Sequence, residues 1–250
     1  MEFINEKKAY ISFAGGGLRS AAHIGALKYF EEINLSYGGV AGSSAGAIVA
    51  ACVAAGKTSD EIFGFIKSVE KKHVFSFSFS KGLFHLDKFR DHFQEFIGIT
   101  EFSELLMPCY VCVTNINTGD PVYLSKGNLI DAVIASCSLT PTFVPYEIDG
   151  VFYNDGGFSD NMPVQPFDGQ YPVIGININF VKGTTPKSFK SLLIRSIILI
   201  LSSNTRYSRE KADLVIDVEF SKKMHLFQFS EVISGYHSGY NSTKKTFLKE

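Results

Sequence analysis

The sequence predicts an α/β layered fold built on a largely parallel sheet, and three observations carry that expectation. Short apolar runs alternate with segments of helical period along the 250 residues. The first apolar run, Ala9 to Ala14, meets Gly15-Gly16-Gly17 and then a helical stretch. The second, ending in Gly39-Val40-Ala41, meets Gly42-Ser43-Ser44-Ala45-Gly46 and then an Ala-rich helical stretch to Ala55. Strand, tight glycine turn and helix, repeated in order, is the way parallel strands are wound.

The elements follow in chain order. A strand is expected over Ala9–Ala14, a helix from about Leu18 to Glu32, a strand over Tyr37–Ala41, and the Ala-rich helix after Gly42. Thr58-Ser59-Asp60-Glu61 supplies N-cap and first-turn chemistry for a helix to Lys72, with Ile62, Phe65, Ile66 and Val69 on its apolar face. Val74 to Ser80 alternates Phe with Ser at period two, which reads as a core strand or packed loop or, alternatively, as part of an acyl pocket, cap or membrane-touching rim. Cys109–Asn115 reads as a central strand, turned by Asn117-Thr118-Gly119-Asp120 into Pro121–Leu124. A helix is expected over Asn128–Cys137, and Asp149-Gly150 joins Tyr146–Ile148 to Val151–Tyr153 as a hairpin. Val173–Phe180 reads as a buried strand, Phe189–Leu201 as a helix whose Leu192, Leu193, Ile197, Leu199 and Ile200 face the core or, alternatively, serve as a membrane anchor, Leu214–Val218 as a strand and Phe229–Phe247 as a terminal helix. No linker, repeat or low-complexity segment divides the chain, so 1–250 is expected to be a single domain.

Composition narrows the function classes. The apolar fraction is 45%, charged residues are 20%, and the net charge is −1. Lysines occur in pairs such as Lys71-Lys72 and never in a block, so nucleic acid is not expected as a ligand. Residues 1–6 carry no basic and apolar secretory pattern, and Leu192–Leu201 is about half of the ~20 residues a membrane span needs. The expectation is a soluble, cytoplasmic or membrane-peripheral chain, with export by a route lacking an N-terminal signature left open. Cys109 and Cys112 sit three apart in a strand, hence on opposite faces, and read as buried thiols and not as a metal or redox pair. No metal is expected.

Three motifs carry chemistry. Gly42-x-Ser44-x-Gly46 between strand and helix has the context of a nucleophile elbow: Ser44 sits on a sharp turn, and the two glycines let strand and helix pass closely. The helix that follows directs backbone N–H groups at developing negative charge. Gly15-Gly16-Gly17-Leu18 can turn successive N–H groups toward one point, as an oxyanion hole requires, and one such donor is worth about 3 kcal/mol to a transition state. The same stretch is a poor dinucleotide fingerprint. Its third position is Ser20, and no acidic residue follows about twenty positions on. Asp155-Gly156-Gly157 places a carboxylate on a glycine-bounded loop. Arg19 either orients the glycine loop or pairs with a substrate phosphate.

In their order and spacing these motifs resemble the patatin-like phospholipase family. So do His23-Ile24-Gly25-Ala26-Leu27, Ala135-Ser136-Cys137-Ser138-Leu139-Thr140-Pro141 and Asn161-Met162-Pro163-Val164, whereas Ser20 stands where many members carry Gly. The resemblance implies a three-layer α/β/α sandwich, a dyad of Ser44 and Asp155 without a catalytic histidine or a cofactor, and hydrolysis of acyl esters in phospholipids, lysophospholipids or neutral lipids. It also implies transient contact with a membrane surface. Ser44 would attack the ester carbonyl while Asp155, its pKa raised by a dry site, takes the proton. Two rivals remain at this stage. One is an acyltransferase or thioesterase pairing Ser44 with His225 or His237, which follow Asp155 in the order of a hydrolase triad. The other is a non-catalytic lipid-binding module, which the intact Ser44 and Asp155 argue against.

Overall fold

Among the described residues, five parallel strands form the body of the sheet, and three antiparallel strands complete it at the site end. The computed structural model describes residues 8–69, 72, 76–77, 84–179, 185–186, 188–220 and 229–248. The parallel order is β10 (Leu214–Asp217), β9 (Val173–Asn177), β1 (Lys8–Phe13), β2 (Ser36–Ser43) and β5 (Cys109–Asn115). β6 (Pro121–Leu124) and β8 (Val151–Asp155) pair antiparallel with β5, and β7 (Tyr146–Ile148) pairs antiparallel with β8. The sheet is therefore mixed. A short hairpin brings β6 back, and the Asp149-Gly150 turn, with φ of 49° and 79°, closes β7 on β8, so neither needs a helical crossover.

From β1 the chain steps one way through α1 (Ala21–Glu32) to β2 and through α2 (Ala45–Ala54) toward β5. From β9 it steps the other way through α6 (Phe189–Ser203) and α7 (Arg206–Lys211) to β10. Right-handed crossovers therefore put α1 and α2 on one face and α6 and α7 on the other, giving the three-layer architecture. Strands covered on both faces read as continuous apolar runs, and every residue of β9 is buried. All ten residues of α2 are buried too, as its Ala-rich composition on all sides demands.

α3 (Ser59–Ser68) begins with the expected cap: the Thr58 hydroxyl accepts from the Glu61 N–H, and the Glu61 carboxylate returns to the Thr58 N–H at 2.8 Å. The terminal helix, α8 (Val232–Leu248), crosses α1 with almost no side chain between them. A Cβ on Gly25 would lie 1.9 Å from the Tyr236 carbonyl oxygen, and one on Gly239 would lie 1.8 Å from that of Ala22.

Several expectations change. α4 (Asp87–Ile97) occupies a stretch to which the sequence reading assigns no element. Its N-cap, Leu86, offers no side-chain cap, but Phe89, Phe93 and Ile97 recur at helical spacing and are buried. α5 (Leu129–Ser136) is as expected and is capped by the Asn128 side chain. α6 is the clearest correction. Leu192, Leu193, Leu199 and Ile200 do not face the core; with Phe189 they are between 43% and 77% exposed. The helix is apolar nearly all round, so periodicity alone could not tell which side the sheet takes. The Phe-Ser alternation of 74–80 lies outside the described residues except for Ser76–Phe77, which pairs with Phe84–His85 as β3 and β4. All four cysteines are free thiols, and Cys109 and Cys112 are both buried. Among the described residues no helix is long and apolar enough to cross a membrane, and no cluster of residues fit to hold a metal is present.

Candidate active site

Strand β5 acts as the ruler that brings the site together. β2 runs parallel along it and ends with Ser43 opposite Cys112. β6 holds the other edge of β5 from Val111 to Thr114, so β8, which pairs with Val113 to Asn115, must share the β2 edge. Asp155 at the end of β8 lies opposite Val113, one residue beyond Cys112. Two strands thus arrive end to end along β5, and the residues at their tips, Ser44 and Asp155, meet. The Ser44 hydroxyl donates to Asp155 Oδ2 at 2.6 Å across 111 positions of sequence.

The elbow is held where only glycine fits around it. A Cβ on Gly42 would lie 2.3 Å from the Gly46 carbonyl oxygen, and one on Gly46 would lie 2.2 Å from that of Phe13. Between them Ser44 adopts φ 53° and ψ −128°, in the left-handed half of backbone space that L-residues avoid. Its N–H donates to the Ser136 hydroxyl at 2.8 Å, and that hydroxyl donates onward to the Cys112 carbonyl at 2.6 Å. Ser136 is fully buried, so it ties the strained turn to the ruler strand. Ser136→Ala leaves two buried backbone groups without this partner, at about 1–3 kcal/mol each. We expect its unfolding free energy to fall by about 2–4 kcal/mol and ester turnover to fall about tenfold. Denaturant titration and initial rates read both, and a variant as stable and as fast as the parent would remove Ser136 from the site.

Asp155 is 2% exposed. Its Oδ1 accepts from the Gly157 N–H at 2.9 Å and its Oδ2 from Ser44. Those bonds favour the carboxylate, but desolvation outweighs them and raises its pKa from 3.8 to about 6. The result is an ionised but weakly solvated base at neutral pH, in hydrogen-bond contact with a serine hydroxyl. That pairing is suited to taking a proton from an attacking alcohol.

The glycine loop lies beside Ser44. A Cβ on Gly15 would come within 3.0 Å of the Ser44 Cβ. Gly16, Gly17 and Leu18 border the same cavity as Ser44 and Asp155. Gly15 differs from them, because its N–H is taken by the Asn161 carbonyl at 3.0 Å. Gly17, with φ 58°, turns the loop into a short 3-10 segment, Gly17–Ser20, that runs into α1. Arg19 is buried and points inward: its Nε donates to the Gly16 carbonyl and its Nη2 to Asn179 Oδ1. Asn179 in turn donates to the Gly15 carbonyl. These are contacts that orient the glycine loop. Burial lowers the Arg19 pKa to about 10, which leaves it charged at neutral pH.

Sequence reasoning missed Ser136, Asn161 and Asn179 as individuals. The signal for Asn179 is its position with Asn177 in the buried run Ile176-Asn177-Ile178-Asn179, where polar side chains need a reason. The cavity over Ser44 is otherwise apolar, walled by Ile48, Ile66, Val69, Phe89, Leu139 and Phe143.

No described histidine borders this cavity. His237 is exposed on α8. His23 is buried, its Nε2 donating to the Ala14 carbonyl at 2.7 Å, and burial lowers its pKa to about 4, so it is neutral. His225 lies outside the described residues.

Comparison with known proteins gives a consistent result. The sequence model described as patatin-like phospholipase matches residues 11–168. A Mycobacterium tuberculosis protein named as an uncharacterized NTE family protein is 31% identical over 164 residues, covering 64% of this chain and 45% of its own length. The Neurospora crassa protein named lysophospholipase nte1 is 24% identical over 192 residues, covering 73% of this chain and 13% of its own length. The chain therefore spans less than half the length of these relatives. Among solved structures, VipD from Legionella pneumophila shares the fold with a TM-score of 0.68 at 13% identity, over 97% of this chain and 67% of that one.

Proposed function

The chain belongs to the patatin-like phospholipase family, and we propose that it is a serine acyl hydrolase cleaving carboxylic esters of phospholipids or lysophospholipids, with Ser44 as nucleophile and Asp155 as base. The observation that carries this reading is the 2.6 Å hydrogen bond between them in the lining of an apolar cavity. The relative named lysophospholipase supports the substrate class.

The steps follow from the geometry. An acyl chain occupies the apolar cavity and sets its ester carbonyl over Ser44. Ser44 Oγ attacks the carbonyl carbon as its proton passes to Asp155 Oδ2. The oxyanion is met by N–H groups of Gly16, Gly17 and Leu18, and by that of Ala45 at the start of the elbow helix. Gly15 supports this loop from behind, as does Arg19. Collapse expels the alcohol, which takes the proton from Asp155. Water then attacks the acyl-serine, Asp155 takes its proton, and release of the fatty acid returns that proton to Ser44. Residues 1–250 act as one catalytic unit in this scheme, without a cofactor.

The test combines fatty-acid release from lysophosphatidylcholine and phosphatidylcholine with fluorophosphonate labelling mapped by mass spectrometry. We expect stoichiometric label on Ser44. We also expect kcat/KM to fall about tenfold per pH unit below about 6, where Asp155 is protonated, and to be level above it. A label elsewhere, or a rate that does not change across that window, would overturn the assignment.

A further inference from the structure

We infer that the outward face of α6, the helix whose inner Leu201 borders the Ser44 cavity, is a docking surface for an anionic lipid bilayer. In a helix of this period Phe189, Leu192, Leu193, Leu199 and Ile200 fall within one sector of about 120° that also holds Ser196 and Ser203, and all seven are exposed. The opposite side carries Leu201, which is buried, borders the cavity and would lie 2.5 Å from a Cβ on Gly157. Asn204, just past the helix, donates to the carbonyls of Gly157 and Phe158. The helix is thus fixed by its inner side to the loop that holds Asp155, while its apolar outer side has no covering element among the described residues.

Charge names the occupant. From residue 169 to 209 the sequence contains no Asp or Glu, in a chain whose net charge is −1. Lys190 and Arg195 lie on the helix itself, and the exposed Arg206 opens α7, where Glu210 follows one turn later. Arg209 is excluded from this set, because it is paired with Asp217 at 2.5 Å. An apolar stripe on a segment that carries cations and no carboxylate fits the boundary between anionic head groups and acyl chains. At 15 residues α6 is too short to span a bilayer and suited to lie along it. The lipid-hydrolase reading explains why such a surface would be met; the docking itself is measurable without turnover.

The chain contains no tryptophan, so Phe189→Trp provides a single reporter. In a Ser44→Ala background this protein is mixed with vesicles of phosphatidylcholine alone or with phosphatidylserine added. We expect cosedimentation and a blue shift of the tryptophan emission with the anionic vesicles, both reduced by salt. Leu192→Glu/Leu193→Glu is expected to weaken binding about tenfold or more, and in the Ser44 parent to leave turnover of a water-soluble short-chain ester unchanged. An anionic vesicle that leaves the protein in the supernatant overturns the inference. So does a Glu pair that binds as well as the parent, or a dimer in solution that the Glu pair dissolves, which would assign the face to a second copy. The emission shift needs no Glu pair, so misfolding of that variant leaves the outcome readable. Vesicle binding without hydrolysis of any ester by the parent would overturn the hydrolase reading and leave the docking surface standing.

Discussion

Asp155→Asn will be inert as a hydrolase and harder to unfold than its parent. The first effect follows from removing the base. Asn presents an amide to Ser44 Oγ and takes no proton at neutral pH, so turnover is expected to fall about 10³-fold or more. The second follows from burial. The Asp155 pKa is raised from 3.8 to about 6, so between those values the folded chain holds a proton that the unfolded chain has released. Stability contributed by this group therefore falls as pH rises through that window and is lowest above it. Asn has the same shape, can still accept from the Gly157 N–H, and carries no charge to desolvate. The gain should be near zero at pH 4 and approach roughly 3 kcal/mol at pH 8, an increase in Tm of about 5 °C or more. Thermal melts of the two proteins across that range decide it. A variant that melts below its parent at pH 8, or a gain independent of pH, would show that Asp155 is not held as a poorly solvated anion.

The same physics explains what was legible in the sequence. Glycines report close approaches directly, because a Cβ cannot be accommodated there. Gly42 and Gly46 therefore marked the elbow, Asp149-Gly150 marked the hairpin, and Thr58 with Glu61 marked a helix start by paired local hydrogen bonds. The alternation of elements was enough for the parallel part of the sheet, but β6, β7 and β8 turn it antiparallel through short-range hairpins that do not alter the apolar pattern. The meeting of Ser44 with Asp155 is a matter of register on β5, and register is a long-range property. It entered the sequence reading only through resemblance of motifs. Ser136 was out of reach for a different reason: a serine in an otherwise apolar helix is ordinary until the backbone N–H it satisfies is known. The outward face of α6 was misread because a helix apolar on nearly every side does not say which side is covered.

Replacing Ser44 separates chemistry from strain. Ser44→Ala and Ser44→Gly both lack the nucleophile, and hydrolysis should fall about 10⁵-fold in each, to the level that binding and the oxyanion donors sustain alone. Their stabilities should differ. Ala keeps a Cβ at φ 53°, so it keeps whatever strain the elbow imposes on Ser44. Gly reaches that conformation freely, which recovers about 1–3 kcal/mol and gives back up to ~1 kcal/mol as extra freedom of the unfolded chain. Both variants lose the hydrogen bond to Asp155 Oδ2, so that loss cancels between them. Ser44→Gly is therefore expected to be more stable than Ser44→Ala by about 1 kcal/mol in denaturant titration, although glycine ordinarily costs stability through the freedom of the unfolded chain. Equal midpoints would mean that the turn carries no stored strain. Hydrolysis above the residual level in either protein would mean that a group other than Ser44 opens the ester.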